Sequence, residues 1–342
     1  MAVIAIGVGA NILLEWEHSW KRRQQAGEET IKKTFFSRQK EGILVSFAIQ
    51  LFTIPLVAYS YYEIPVYAML INLFVLAVVN GLLGLTVLGV IVGMAFLPAG
   101  RVLFAPCGWM LDSYRFLCEV SLKIPGAQRI TGKPAHMRIF WYYLGLGVFL
   151  LAIYACARRN EKHKDCRETA DLCVSRRKKR LQGIVFSCFI AFLLLFLLFP
   201  QKKSFEIDFL DVGQGDGIYL CTGGGTSMFI DGGSTDVKQV GKYRILPFLK
   251  AKGVSEISYW FVSHTDTDHV SGLKEVLVSG YRVEYLVFAK AVEKEAKTKE
   301  LAELARSHGT KVLYMQAGDT VRSKRAAMRC LYPKASDKAE DV

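Results

Sequence analysis

Apolar positions follow two patterns along the chain. Up to about residue 200 they gather in long uncharged runs. Beyond it they come in short bursts bounded by Gly, Asp and Ser. The runs are Ile43–Tyr62 with 20 residues, Val66–Leu97 with 32, Ile139–Ala157 with 19 and Leu181–Phe199 with 19. As helices, 19 or 20 residues reach about 30 Å, the thickness of a bilayer core. Met1–Leu14 is also apolar but is too short to span alone.

Two basic stretches flank these runs, Lys21–Lys40 and Arg158–Arg180. Lys/Arg-rich loops stay in the cytoplasm. Ile43–Tyr62 and Leu181–Phe199 then run outward, Ile139–Ala157 runs inward, and the chain beyond Pro200 lies outside. Val66–Leu97 must therefore leave and return to one side. A bend at Asn80-Gly81, followed by Gly84, predicts a broken or re-entrant hairpin. The competing reading is a single tilted span. Within Pro98–Pro125, the charges Asp112, Arg115, Glu119 and Lys123 recur three and four apart. That spacing predicts a helix over Cys107–Lys123 with one polar stripe, lying at an interface or against the bundle.

After Pro200 the periods shorten. Phe205–Leu210, Ile218–Cys221, Ser227–Ile230, Ile257–Val262, Val283–Phe288, Lys311–Met315 and Met328–Tyr332 read as strands. Ile245–Lys252, Leu273–Val278 and Ala291–His308 read as helices, the last supported by Glu293/Lys297 and Glu295/Lys299. Strands alternating with helices predict an α/β domain.

Composition fits this division. The chain has 342 residues, 51% apolar and 22% charged, which excludes both a disordered chain and a pure membrane bundle. The net charge of +13 suggests an anionic partner, but +6 of it falls within residues 157–183. The charge mainly sets orientation. The 8 Cys form no C-x-x-C pair. A bridge between Cys107 and Cys118 is disfavoured. No signal peptide is expected at the start.

The strongest chemical signal is Ser263-His264-Thr265-Asp266-Thr267-Asp268-His269, directly after a predicted buried strand. Imidazoles and carboxylates converging in a tight loop suit zinc or manganese. A plainer alternative is a loop that caps the next helix, with Asp268 as N-cap. Ile230-Asp231-Gly232-Gly233 also ends a strand, and Asp231 could bind metal or orient a ligand His. Leu210-Asp211-Val212-Gly213-Gln214-Gly215-Asp216-Gly217 reads as a tight turn near a site, without the Lys-Ser/Thr of a phosphate loop. Asn72, Gln50 and Glu63 could line a pore, or could make helix–helix hydrogen bonds and face an interface.

The His-x-Asp-x-Asp-His order resembles the metallo-β-lactamase signature, with Asp in the second ligand position. Together with Asp211–Asp216 and Asp231–Gly233, it resembles the C-terminal domain of the ComEC family of DNA-uptake proteins. Gln50–Leu56, Tyr59, Ile64-Pro65 and Asn72 are similar to the end of that family's competence domain. The resemblance implies a polytopic α-helical membrane domain over 1–200, followed by an α/β (αββα, metallo-β-lactamase-like) domain over 201–342 that is incomplete at its C-terminus. It implies a bacterial inner-membrane channel for single-stranded DNA. Its extracytoplasmic domain would degrade the other strand with two divalent ions, zinc or manganese. His264 and Asp266 would hold one ion, Asp268 and His269 the second, with Asp268 and His269 central to catalysis and Asp231 steadying them. Asp211, Gly213, Gly215 and Asp216 would form a site loop. The bilayer and other competence proteins are implied partners; a homo-oligomer stays open. The later ligand motifs of the fold are absent, so the chain reads as a fragment cut at both ends, in which metal binding could be incomplete. Two alternatives stand beside this reading: a transport-only or decayed chain with an inert soluble part, and a membrane-tethered metallo-hydrolase of another substrate.

Overall fold

The computed structural model describes residues 32–162, 172–199, 204–322, 327–334 and 337. The apolar segment Met1–Leu14, the start of the first basic stretch, the centre of the second with Cys166, and Pro200 lie outside the described residues. The chain divides into two compact units, Met1–Arg129 with Pro134–Phe199, and Ile130–Lys133 with Pro200–Val342.

The first unit is helical. Its elements are α1 (Lys32–Tyr61), β1 (Glu63–Pro65), α2 (Ala68–Ala95), α3 (Leu97–Lys123), β2 (Gln128–Ile130), α4 (His136–Lys162) and α5 (Leu172–Leu198). Among the described residues, one segment is long and apolar enough to cross a membrane, His136–Ala155 in α4. Shorter apolar segments are Val45–Tyr61, Gly81–Ala95 and Gly183–Leu198.

The bend expected at Asn80-Gly81 is corrected: α2 runs unbroken from Ala68 to Ala95. A mid-helix Gly costs about 1 kcal/mol relative to Ala but keeps its N–H, so the hydrogen-bond ladder continues. The reversal comes at Phe96, which is extended, with Pro98 in the first turn of α3. α2 and α3 form an antiparallel hairpin. The Tyr114 hydroxyl donates to Val75 O at 3.4 Å, and Gly89 faces Phe104. Near the tip Gly93 and Gly100 meet backbone to backbone; a Cβ at 100 would lie 3.0 Å from Gly89 O. α3 thus starts ten residues before the predicted Cys107. Its polar stripe is present and exposed, with Arg115 between Asp112 at 3.5 Å and Glu119 at 3.8 Å. Cys107 and Cys118 are both free thiols.

Pro55 lies inside α1. Having no N–H, it leaves the carbonyl four residues earlier without its helical donor. That carbonyl belongs to Leu51, and the buried Tyr142 hydroxyl of α4 donates to it at 2.9 Å. Tyr143 does the same for Phe52 O at 2.8 Å. An irregular helix turn in an apolar setting is thus satisfied by its neighbour. Around this point Phe52, Leu146, Phe149, Leu193 and Leu197 form a common core.

The second unit contains β3 (Glu206–Phe209), β4 (Gly217–Cys221), β5 (Ser227–Asp231), α6 (Leu246–Ala251), β6 (Glu256–Val262), α7 (Thr267–Val278), β7 (Arg282–Ala289), α8 (Ala296–Ser307) and β8 (Lys311–Met315). Its six-stranded sheet runs in the order β3-β4-β5-β6-β7-β8. The pairs β3–β4 and β4–β5 are antiparallel; β5 through β8 are parallel. The sheet always grows in one direction, so right-handed crossovers place their helices on one face. The register agrees: Phe229, Trp260 and Leu286 sit side by side and are fully buried under Ile245, Leu249, Leu273 and Leu301. β9 (Thr320–Arg322) and β10 (Ala327–Arg329) form a separate antiparallel ribbon. The expected α/β character is therefore present.

Three sequence expectations here need correction. α7 starts at Thr267, not Leu273, so half of the His/Asp motif lies on a helix. α8 starts at Ala296, after a short 3-10 turn over Lys290–Val292, and Glu293 precedes it. Glu293 pairs with Lys290 at 2.7 Å, and the expected Glu293/Lys297 pair does not form because Lys297 is bound elsewhere. The predicted strand Met328–Tyr332 shrinks to Ala327–Arg329 in the ribbon.

Candidate metal centre

Parallel strands end together at one edge of a sheet, and the loops there are the usual place for ligands. Asp231 is the last residue of β5, and Ser263 follows the end of β6. Both sit at that edge, and α7 starts from it.

Asp231 is 5% exposed and has a positive φ of 58°. Its carboxylate receives the Ser263 backbone N–H at 2.8 Å and the Ser263 hydroxyl at 3.0 and 2.8 Å. Oδ2 lies 3.1 Å from His269 Nδ1. The Trp260 indole N–H donates to the Asp231 carbonyl at 2.6 Å. A buried carboxylate with this many partners has one orientation available.

α7 presents Asp268 and His269 from its first turn, with His269 buried. Two nearby glycines permit its close approach. A Cβ on Gly233 would run into the backbone of Asp268 and His269, and one on Gly215 into the carbonyls of Gly233 and Asp268. The backbone of the Asp211–Asp216 loop, the Asp231–Gly233 turn and α7 is thereby stacked without intervening side chains. Gly232 N donates to Asp216 O at 2.7 Å.

The rings of His264 and His269 lie with centroids 3.7 Å apart. Among the described residues, two groups of three could hold an ion: His264, Asp268 and His269, and Asp216, Asp231 and His269. In each, one ligand atom per residue lies within 4.8 Å of the others. His269 Nε2 is 3.6 Å from Asp268 Oδ2, and its Nδ1 is 3.8 Å from Asp216 Oδ2. Two imidazoles with one carboxylate fit a borderline divalent ion such as zinc or manganese.

Asp266 stands apart. Its carboxylate accepts from Lys297 Nζ at 2.9 Å, and that ammonium holds its carboxyl below the usual carboxylate range. Asp266 rather than Asp268 is the N-cap of α7, and its side chain makes no cap hydrogen bond. Asp211 also faces elsewhere, paired with Arg244 at 2.8 Å. The structure thus gathers His264, Asp268, His269, Asp231 and Asp216, and leaves Asp266 and Asp211 out. Gly213 and Gly215 carry the loop.

The sequence reading gave three residues no role at the site: Ser263, Lys297 and Asp236. Asp236 Oδ1 receives Gln214 N at 2.7 Å and the Ser234 hydroxyl at 2.8 Å. These bonds, Gln214 first, hold its carboxyl below the usual range. The Ser-x-Asp spacing of 234–236 is a local turn signal that could have marked it. Nothing local marks Lys297, because its partner lies on another element. His308 is exposed at the end of α8, with Nδ1 2.9 Å from Leu304 O.

Residues 2–155 match the family described as Competence protein. The chain is 24% identical over 314 residues to ComE operon protein 3 of Bacillus subtilis, covering 86% of this chain and 37% of that protein. It is 31% identical over 106 residues to Recombination protein 2 of Haemophilus influenzae, covering 30% of this chain and 13% of that protein. The chain thus spans well under half the length of either relative.

Proposed function

We propose that the chain belongs to the ComEC-type competence proteins and serves DNA uptake: a membrane-embedded helical part passes one strand, and an extracytoplasmic metallo-β-lactamase-like part hydrolyses phosphodiester bonds. In this reading residues 1–200 form the transmembrane domain and cross the membrane several times. The basic stretches 21–40 and 158–180 face the cytoplasm, and residues 201–342 lie outside. Large apolar side chains exposed on the helices support it, among them Val102, Trp109 and Met94 at 72%, 74% and 85% exposure. Such a surface is costly in water and at home in lipid. DNA, the bilayer and other proteins of a competence system are the proposed partners.

The observation that carries the hydrolase reading is the convergence of His264, Asp268 and His269 at the end of β6. These three would hold a divalent ion. The ion would supply Lewis acidity toward a phosphodiester oxygen. Asp231 holds His269 in place, and Gly215 and Gly233 let the first turn of α7 pack against the loops beneath it. The Asp266–Lys297 pair keeps that carboxylate off the ion.

The test is cleavage of a single-stranded DNA oligonucleotide by the full chain with manganese or zinc. Metal-dependent cleavage that disappears in Asp268→Ala is expected. Cleavage that persists in that variant would remove the assignment.

A further inference from the structure

We infer that Ser263 is a positioning residue that sets which nitrogen of His264 carries the proton, and so leaves His264 Nε2 bare as a metal ligand. The inference deepens the proposed hydrolase site and rests on that reading only for its consequence in metal binding.

The argument is a count of protons. An ionised carboxylate has only lone pairs to offer, and a serine hydroxyl has a single proton. The Ser263 hydroxyl lies 3.0 and 2.8 Å from the two oxygens of Asp231, so its proton goes there. Asp231 is buried and needs that donor. The hydroxyl oxygen then has only lone pairs for its other neighbours. His264 Nδ1 is 3.0 Å from it. A hydrogen bond forms at that distance only if Nδ1 bears the proton. The neutral ring has one N–H, so Nε2 is left with a free lone pair.

His269 reaches the same state by a different route. Its Nδ1 is 3.1 Å from Asp231 Oδ2 and 3.4 Å from the Ser263 hydroxyl. Both are acceptors, so Nδ1 donates and Nε2 is bare. One buried carboxylate therefore orders both rings, directly for His269 and through Ser263 for His264. This decides between the two candidate donor groups. Asp231 holds His269 Nδ1 and Ser263 holds His264 Nδ1, and the Nε2 atoms serve the ion with Asp268. A ligand imidazole that donates its other N–H to a carboxylate or hydroxyl is a better and better-oriented ligand.

The experiment uses the full chain in detergent micelles, labelled with 15N-histidine, free of metal, at a pH where the rings are neutral. Long-range 15N–1H spectra read each tautomer. The unsubstituted chain should show Nδ1–H on His264 and His269. In Ser263→Ala, His264 should relax toward the mixture of free imidazole while His269 keeps Nδ1–H, since Asp231 remains. Ser263→Thr keeps the hydroxyl and should restore His264. Zinc alone, titrated by calorimetry, should bind about 10–100-fold more weakly to the Ala variant than to the unsubstituted or Thr chain. Nε2–H on His264 in the unsubstituted chain, or an unchanged His264 tautomer in Ser263→Ala, would overturn the inference. Correct tautomers in a chain that binds no zinc would support the proton assignment and sink the metal reading.

Discussion

His269 Nδ1 lies 3.1 Å from Asp231 Oδ2, joining the first turn of α7 to the end of β5. The Asp231 side chain is 7% exposed and that of His269 11%. A contact so deeply placed orients the ring more than it stabilises the fold, because desolvation offsets much of the attraction. Asp231→Asn keeps the shape and removes the charge. Zinc affinity should fall about 10–100-fold, measured by calorimetry; an unchanged affinity would show that Asp231 does not order the ligand ring.

Asp266 and Asp268 are two residues apart and should behave differently. Lys297 occupies Asp266, while Asp268 joins the histidines. Asp268→Ala should abolish tight zinc binding. Asp266→Ala should change it by less than about threefold, since the Asp266 carboxylate is engaged by Lys297 at an exposed position and not by the histidines. Equal losses in both variants would mean that Asp266 leaves Lys297 when metal arrives.

Gly233→Ala tests the packed floor of the site. Its Cβ would meet backbone atoms of Asp268 and His269, which cannot rotate away. The second unit should lose about 1–3 kcal/mol, read as a lower urea midpoint by tryptophan fluorescence. A neutral substitution would mean that α7 can shift at its first turn.

Tyr142→Phe tests the repair of α1 at Pro55. The variant leaves the Leu51 carbonyl without its 2.9 Å donor. A cost of about 1–3 kcal/mol is expected, seen as earlier thermal unfolding in detergent. No change would mean that another donor replaces the phenol.

Asp236 gives a pH prediction. Its folded carboxyl titrates below the usual range because Gln214 N and the Ser234 hydroxyl bond to the ionised form. The loop tie is therefore complete above the ordinary carboxylate pKa of about 3.9, and is lost as pH falls through the lower folded value. The Gln214 amide resonance should titrate with a midpoint below about 3.9. A midpoint above that would reverse the assigned cause.

Much of this was legible in the chain itself. The uncharged runs marked helices, the short alternating bursts marked the strands of the six-stranded sheet, and the His/Asp motif at a strand end marked the site. These are local signals, written in the period of apolar residues and in the spacing of ligands. Helix starts were less legible. Thr267 begins its helix before the predicted Leu273, and Leu97 before the predicted Cys107, where Pro98 suits the first turn.

What only the tertiary structure decided is which of these groups meet. Periodicity placed His264, Asp266, Asp268 and His269 in one stretch, but not which of them share a centre. Lys297 withdraws Asp266, and the Asp231–Ser263 pair orders both histidines. Those partners come from strands and helices distant in sequence, and no spacing encodes a contact between elements. The same holds in the helical unit, where the glycines near residue 80 suggested a bend. The chain instead turns at Phe96, where Gly93 and Gly100 let two helices touch.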